Sequence, residues 1–400
     1  MLLSHPSHLS LIDSWLLPVT SAVLIVSVGL GLLRIVALLV TRRGRTGYAP
    51  FAGISAISRG VSVVIPALEE ASGIERCLRS VLTSEEVDLD VIVVDAVSPH
   101  RTGDLVARVF GADLRVRVIR APGLARDHAL DLGLKNARHD LVVALAAETV
   151  CLSSTLRRLA RAFDDPQVGC VAGCEITAGG RELLAGARTL EALAGKGVER
   201  RAWHSMGLVA LEPGQIGAWR RDAVREAGGF SRRPGAAADL SLELQSLGWL
   251  GRYAPDAFGF KEATVSARAV VLSRVRSFCT LIDAAPMASR PSFGMVSLSL
   301  GLYLLAWFLV PLADIAALLG FVSGHGAAIA GYVVAALLVD WVLTLLILST
   351  EEAKLGLARS WPAHRFVYRW FLVGGLFHAA WASGTAPRPP RRRPRETVTA

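Results

Sequence analysis

The chain has 400 residues, a formal net charge of +9 and 52% hydrophobic residues. Its mean hydropathy of +0.45 exceeds what a soluble domain carries, so a very large core or a membrane must take up the apolar excess. The positive charge is concentrated in short flanks and a C-terminal tail, which fits anionic lipid headgroups and leaves no nucleic-acid partner expected.

Residues 1–14 are read as an external N-terminus, and residues 15–41 form an apolar stretch longer than the roughly 20 residues a bilayer crossing needs. The basic cluster Arg42, Arg43 and Arg45 follows that stretch, the reverse of a signal peptide, and places what comes next in the cytosol. Residues 42–60 then link the helix to a soluble domain over 61–264. Val61–Pro66 and Val91–Val94 are continuous apolar runs, read as buried parallel strands. Between them Ile74, Cys77, Leu78 and Val81 recur at helical spacing. Arg115–Val118 and Leu141–Leu145 continue the alternation, with Leu124–Asn136 as the intervening helix. The pattern predicts a doubly wound α/β sheet, whose ligands bind beyond the carboxyl ends of the strands. Residues 66–70, 95–102 and 146–149 should therefore line one cleft.

Five cysteines (Cys77, Cys151, Cys170, Cys174, Cys279) include one close pair, Cys170 and Cys174, without a nearby histidine; the pair is read as packing rather than zinc-binding. Residues 265–290, where Arg268, Arg274 and Arg276 interrupt apolar residues, read as an interfacial amphipathic helix. Residues 291–384 carry three apolar runs, Phe293–Val322, His325–Thr350 and Phe366–Ala382, and residues 385–400 form a basic tail expected to be disordered. Three full crossings would carry that tail outside, against the positive-inside trend. Either Phe366–Ala382, with Arg369 and His378, or Phe293–Val322, with Pro311 and Asp314, is therefore not a simple crossing.

At the three strand ends the sequence resembles family 2 glycosyltransferases, the group with cellulose, hyaluronan and poly-N-acetylglucosamine synthases. VSVVIPALEE from Val61 resembles the family's opening strand, VIVVDAVSPHRT from Val91 its nucleotide-contacting turn, and GLARDHALDLGLKNARHDLVVALAAET from Gly123 its central helix and metal-binding strand end. PGQIGAWRRDAVREAGGF and DLSLELQSLGW resemble the acceptor-side segments. The resemblance implies a GT-A type nucleotide-sugar-binding domain between transmembrane helices, a UDP-sugar ligand contacted around Pro66, Glu69, Asp95, Ser98 and Arg276, and a Mg²⁺ or Mn²⁺ cofactor.

Several motifs depart from the family. Its Asp-x-Asp metal motif falls on Ala146, Ala147 and Glu148, which leaves Glu148 as the remaining candidate ligand. Its catalytic base position falls on Ala237, with Asp239 and Glu243 as nearby substitutes. Its product clamp falls on residues 273–277, where Ser273 and Ser277 stand at the outer positions and Arg276 alone survives, as a phosphate contact or an interfacial cation. The second aspartate of the nucleotide turn is Ala96. Glycines and packing residues that shape the backbone remain, among them Gly133, Gly214, Gly217, Gly228, Gly229 and Phe230.

Three functions are compatible with this pattern. The first is a catalytically degenerate homologue that supports a competent glycosyltransferase or a polysaccharide export protein at a bacterial-type cytoplasmic membrane, with or without a bound metal. The second is an active inverting transferase with an unconventional site, and the third is a transport component whose intramembrane Asp314 and Asp340 line a passage.

Overall fold

The computed structural model describes residues 8–43, 59–68, 73–96, 102–178, 186, 187, 189, 190, 193, 216–232, 237–262, 309–350, 355–370 and 374. The expected interfacial helix at 265–290, the run 293–308 and the basic tail lie outside the described residues. In chain order the described elements begin with helix α1 (His8–Arg43), then β1 (Arg59–Ala67), α2 (Ile74–Leu82), β2 (Val87–Asp95), α3 (Thr102–Phe110), β3 (Val116–Arg120), α4 (Arg126–Asn136), β4 (Leu141–Ala144) and β5 (Thr149–Cys151). They continue with α5 (Thr155–Arg161), β6 (Val168–Ala178), β7 (Gly217–Arg220), α6 (Arg221–Glu226), α7 (Ala237–Ser246) and β8 (Leu250–Glu262). Helices α8 (Leu309–Val322) and α9 (Gly326–Thr350) follow, then an irregular helical segment, Leu355–Tyr368.

One eight-stranded sheet has the order β3-β2-β1-β4-β7-β6-β8-β5. Strands β1 to β4 are parallel to one another, as the continuous apolar runs predict. Successive residues of a strand point to opposite faces. Val61, Val63 and Ile65 accordingly enter one core with Leu78 of α2, Val106 of α3 and Leu156 of α5. Val64 enters the other core with Leu130 of α4, Val224 of α6 and Leu244 of α7. The remaining half of the sheet is mixed, because β7 runs antiparallel to β4 and to β6, so the doubly wound alternation describes the first four strands only.

Two close approaches explain glycines in the chain. A Cβ on Gly133 of α4 would lie 2.2 Å from Val64 Cγ1, so the helix seats against β1 only without a side chain there. Gly228 and Gly229 both have positive φ, and the turn they form presents the N–H groups of Phe230 and Ser231 to the Asp131 carboxylate at 2.7 and 2.9 Å. Phe230 then packs edge-on against the buried Trp219, with ring centroids 5.5 Å apart.

Helices α1 and α9 are long and apolar enough to cross a membrane, over Leu17–Val40 and Gly326–Thr350, and α8 is a shorter apolar helix. Leu24 of α1, Ala313 of α8 and Ile329 of α9 pack together. The Leu355–Tyr368 segment closes the cluster with charge. Arg365 donates to Asp314 at 2.6 Å, Arg369 to Asp340 at 2.9 Å, and the Trp361 indole to Asp340 at 2.8 Å. Of the run Phe366–Ala382, the described residues 366–368 close the irregular segment, and Arg369 serves as an ion-pair partner of α9.

Inside the sheet, Asp90 is 1% exposed. It accepts from the Arg117 guanidinium at 2.7 and 2.8 Å, from Ser62 at 2.9 Å and from the Arg138 N–H at 3.1 Å, so a single carboxylate ties β1, β2, β3 and the turn before β4. Removing one partner of a buried charge pair leaves the other uncompensated. Asp90→Ala should cost about 3 kcal/mol, seen as a lowered melting temperature of the detergent-purified protein. Asp88→Ala, at an exposed carboxylate that pairs loosely with His139 among the described residues, should leave it within the error of the measurement.

Candidate active site

The parallel pairing of β2, β1 and β4 puts their carboxyl ends on one edge of the sheet. Ala67 is in register with Asp95, the Ala96 N–H donates to Ala67 O at 3.1 Å, and the Leu145 N–H donates to Val64 O at 3.1 Å. Pro66 lies in β1 just before this edge, in register with Val94. Gly73, just before α2, lies against the end of β4, since a Cβ on it would come within 2.9 Å of Glu148 Cα. The three predicted strand ends therefore do converge. Glu69, Ser98 and Arg276 lie outside the described residues, as do Ser273 and Ser277.

Asp95 closes β2 and accepts from the Gly103 N–H at 3.0 Å. This bond anchors the carboxylate against the start of α3, where a Cβ on Gly103 would collide with it at 2.5 Å. Ala96 next to it is buried in the second core, and its carbonyl accepts from Gly123 at 2.6 Å. The position that offers a second aspartate in the resembling family is thus a packed methyl group.

The end of β4 is equally altered. Ala146 is 3% exposed and Ala147 is part of the first core. Glu148 keeps its carboxylate, but Lys261 of β8 places its Nζ 2.5 Å from Glu148 Oε1. Strand β8 brings the lysine there by pairing antiparallel with β5, with Lys261 opposite Thr149. Burial pushes the Glu148 pKa up, yet the adjacent Lys261 ammonium, with a smaller contribution from Arg126, outweighs it and holds the carboxyl below the ordinary glutamate range. Sequence reasoning missed Lys261, because only the β5–β8 pairing reveals its partner.

A divalent cation of this type needs several oxygen ligands, commonly one or two carboxylates beside the substrate phosphates. Here one of the motif's two carboxylate positions is the methyl group of Ala146, and the carboxylate at the other, Glu148, is already paired with the Lys261 ammonium. The described residues do not fit a resident Mg²⁺ or Mn²⁺ at this strand end. Among the candidate bases, Asp239 and Ala237 belong to α7. Glu243 is a partly buried residue of the same helix, which packs on β6 and β8.

Comparison with known proteins identifies the architecture. A model described as Glycosyl transferase family group 2 matches residues 141–349, just over half of the chain, and one described as Glycosyl transferase family 2 matches residues 62–213. The chain belongs to glycosyltransferase family 2. The mannosyltransferase PcManGT from Pyrobaculum calidifontis, solved in complex with GDP-Man and Mn²⁺, superposes with a TM-score of 0.60 at 18% identity, covering 90% of this chain and 99% of that one. The fold is accordingly GT-A-like, an α/β domain with a curled sheet. An uncharacterized protein of Mycobacterium tuberculosis is 34% identical over 27% of this chain and 34% of its own length. The uncharacterized glycosyltransferase EpsJ of Bacillus subtilis is 27% identical over 28% of this chain and 33% of its own. The poly-beta-1,6-N-acetyl-D-glucosamine synthase of Staphylococcus aureus is 23% identical over 42% of this chain and 41% of its own. The matches thus span about a third to two fifths of these relatives.

Four cysteines of this family 2 chain, Cys77, Cys151, Cys170 and Cys174, are buried thiols. Burial pushes Cys77 well above the usual thiol range and raises Cys151 and Cys170 to about 12, so none of those three supplies a thiolate at neutral pH. The native protein should take up maleimide at no more than one thiol, with the other four reacting only after denaturation. Mass spectrometry of the labelled chain reads the difference.

Proposed function

We propose that this chain is a membrane-embedded family 2 glycosyltransferase homologue of polysaccharide or glycoconjugate synthesis or export, in which metal-dependent transfer has been lost and the fold supports a competent glycosyltransferase or export component. The observation that carries this reading is the strand-4 end, where Ala146 and Ala147 are buried and the lone carboxylate of Glu148 is held by Lys261. An inverting transfer from a nucleoside-diphosphate sugar requires charge neutralisation on the leaving diphosphate and a base for the acceptor hydroxyl. Losing base assistance costs about 10² to 10⁴ in rate, and losing metal polarisation adds several kcal/mol, so together the deficit exceeds about 10⁵.

The polysaccharide setting is supported by the likeness to the poly-beta-1,6-N-acetyl-D-glucosamine synthase. Nucleotide recognition in the cleft is supported by the likeness to a mannosyltransferase that holds GDP-Man. A multi-pass placement in a bacterial-type cytoplasmic membrane, with the sheet domain in the cytosol, is supported by helices α1 and α9 and by the basic flank that follows α1. A passage lined by Asp314 and Asp340 has less support, because both carboxylates are engaged by Arg365 and Arg369.

The test is turnover. Detergent-purified protein supplied with a panel of UDP- and GDP-sugars and Mg²⁺ or Mn²⁺ should neither hydrolyse nor transfer any of them, and release of nucleoside diphosphate from any donor would establish an active enzyme instead. The triple variant Ala146→Asp, Glu148→Asp, Ala237→Asp should also stay silent, since Ser273 and Ser277 leave the product unclamped. Transfer by that variant would show that those three positions alone are limiting.

A further inference from the structure

The strand-4 end carries a second consequence, which rests on the reading that the cleft still receives a nucleotide. Where one of the two metal-motif carboxylates is replaced by Ala146, a lysine from a distant strand stands at the other, Glu148. We propose that Lys261 takes the place of the divalent cation, so that this cleft binds a nucleoside diphosphate through an ammonium rather than a metal bridge.

Three observations support the substitution. The Lys261 Nζ stands 2.5 Å from Glu148 Oε1, and the two side chains keep 28% and 45% of their surface, so the pair is accessible to a phosphate from solvent. An ammonium has three donors in rotatable positions. Glu148 occupies one of these directions and orients the group, and the others remain for phosphate oxygens. Arg126 at the start of α4 also adds its positive field at Glu148. Finally, Thr149, directly opposite Lys261 in the β5–β8 register, has a buried hydroxyl with no partner among the described residues, one more polar group at this strand end that the protein itself does not satisfy.

An ammonium binds phosphate as a point charge but cannot bridge two phosphate oxygens in fixed coordination geometry. The site so built would recognise the nucleotide without polarising its glycosyl bond, which suits a binding role better than turnover.

Calorimetric titration of UDP and GDP into the full-length protein in detergent, with EDTA, Mg²⁺ or Mn²⁺, decides the matter. The expected result is binding whose Kd is the same in all three conditions. Lys261→Met should weaken it about tenfold or more, Lys261→Arg should retain it, and Glu148→Gln should bind at least as tightly as the unmodified chain. Melting curves of each variant in the same detergent separate a lost ligand contact from a lost fold. Binding that requires a divalent metal and disappears in Glu148→Gln would overturn the proposal in favour of a one-carboxylate metal site. Equal affinity of Lys261→Met and the unmodified chain would overturn it, as would absence of binding at millimolar nucleotide. None of these results touches the reading of a catalytically silent protein, which fails only on turnover.

Discussion

The cleft depends on the parallel pairing of β1 with β2 on one side and β4 on the other. Parallel neighbours end on the same edge, and the register of Ala67 with Asp95 brings the two strand ends level. Because the strands are buried on both faces, slipping the register by one residue would exchange the Val61, Val63 and Ile65 face with the Val64 face and bury the wrong set against the wrong helices. Asp90 reinforces this with a buried network that links three strands. The edge proposed to receive ligands is thus set by packing and pairing in which the candidate residues Asp239, Glu243 and Glu148 take no part.

That separation makes the pattern of losses intelligible. Gly133 is demanded by the contact of α4 with Val64, and Gly229 by its positive φ beside Asp131. Changing either would disturb the scaffold whatever the cleft does. Ala96 and Ala146 sit where the family offers carboxylates, and both are buried. Small apolar side chains at these points remove the cost of holding unpaired charge out of water, a cost that a bound cation would otherwise offset. The Glu148–Lys261 pair answers the same problem for the carboxylate that remains.

The helices follow a parallel logic. Ionisable groups on apolar helices are tolerated when they pair inside the bundle, and Asp314 and Asp340 do so with Arg365 and Arg369. The segment around those arginines also packs against residues that lie between β6 and β7 in the chain. Leu190 and Leu193 pack with Leu38 of α1, Ile347 of α9 and Trp361, Ala187 packs with Tyr368, and a Cβ on Gly186 would meet the Ser360 side chain. A described stretch of the chain between β6 and β7 is therefore coupled to the helix cluster through close packing.

Much of this was legible in the residues themselves. Continuous apolar runs at Val61 and Val91 announced buried parallel strands, helical spacing from Ile74 announced α2, and the long apolar stretches announced α1 and α9, because each signal is local and repeats at the period of its element. The order of motifs was enough to reveal the family and to show which carboxylates were missing. What the residues could not disclose was where Lys261 goes, that the far half of the sheet is mixed, and that Asp314 and Asp340 have arginine partners. Each of these is a contact between segments distant in the chain, set by strand order and helix packing, and no local periodicity encodes it. Composition and spacing determined the parallel half of the sheet, the long apolar helices and which residue types stand at the strand ends; only the tertiary structure decided that an ammonium stands beside Glu148, because that contact joins strands distant in the chain.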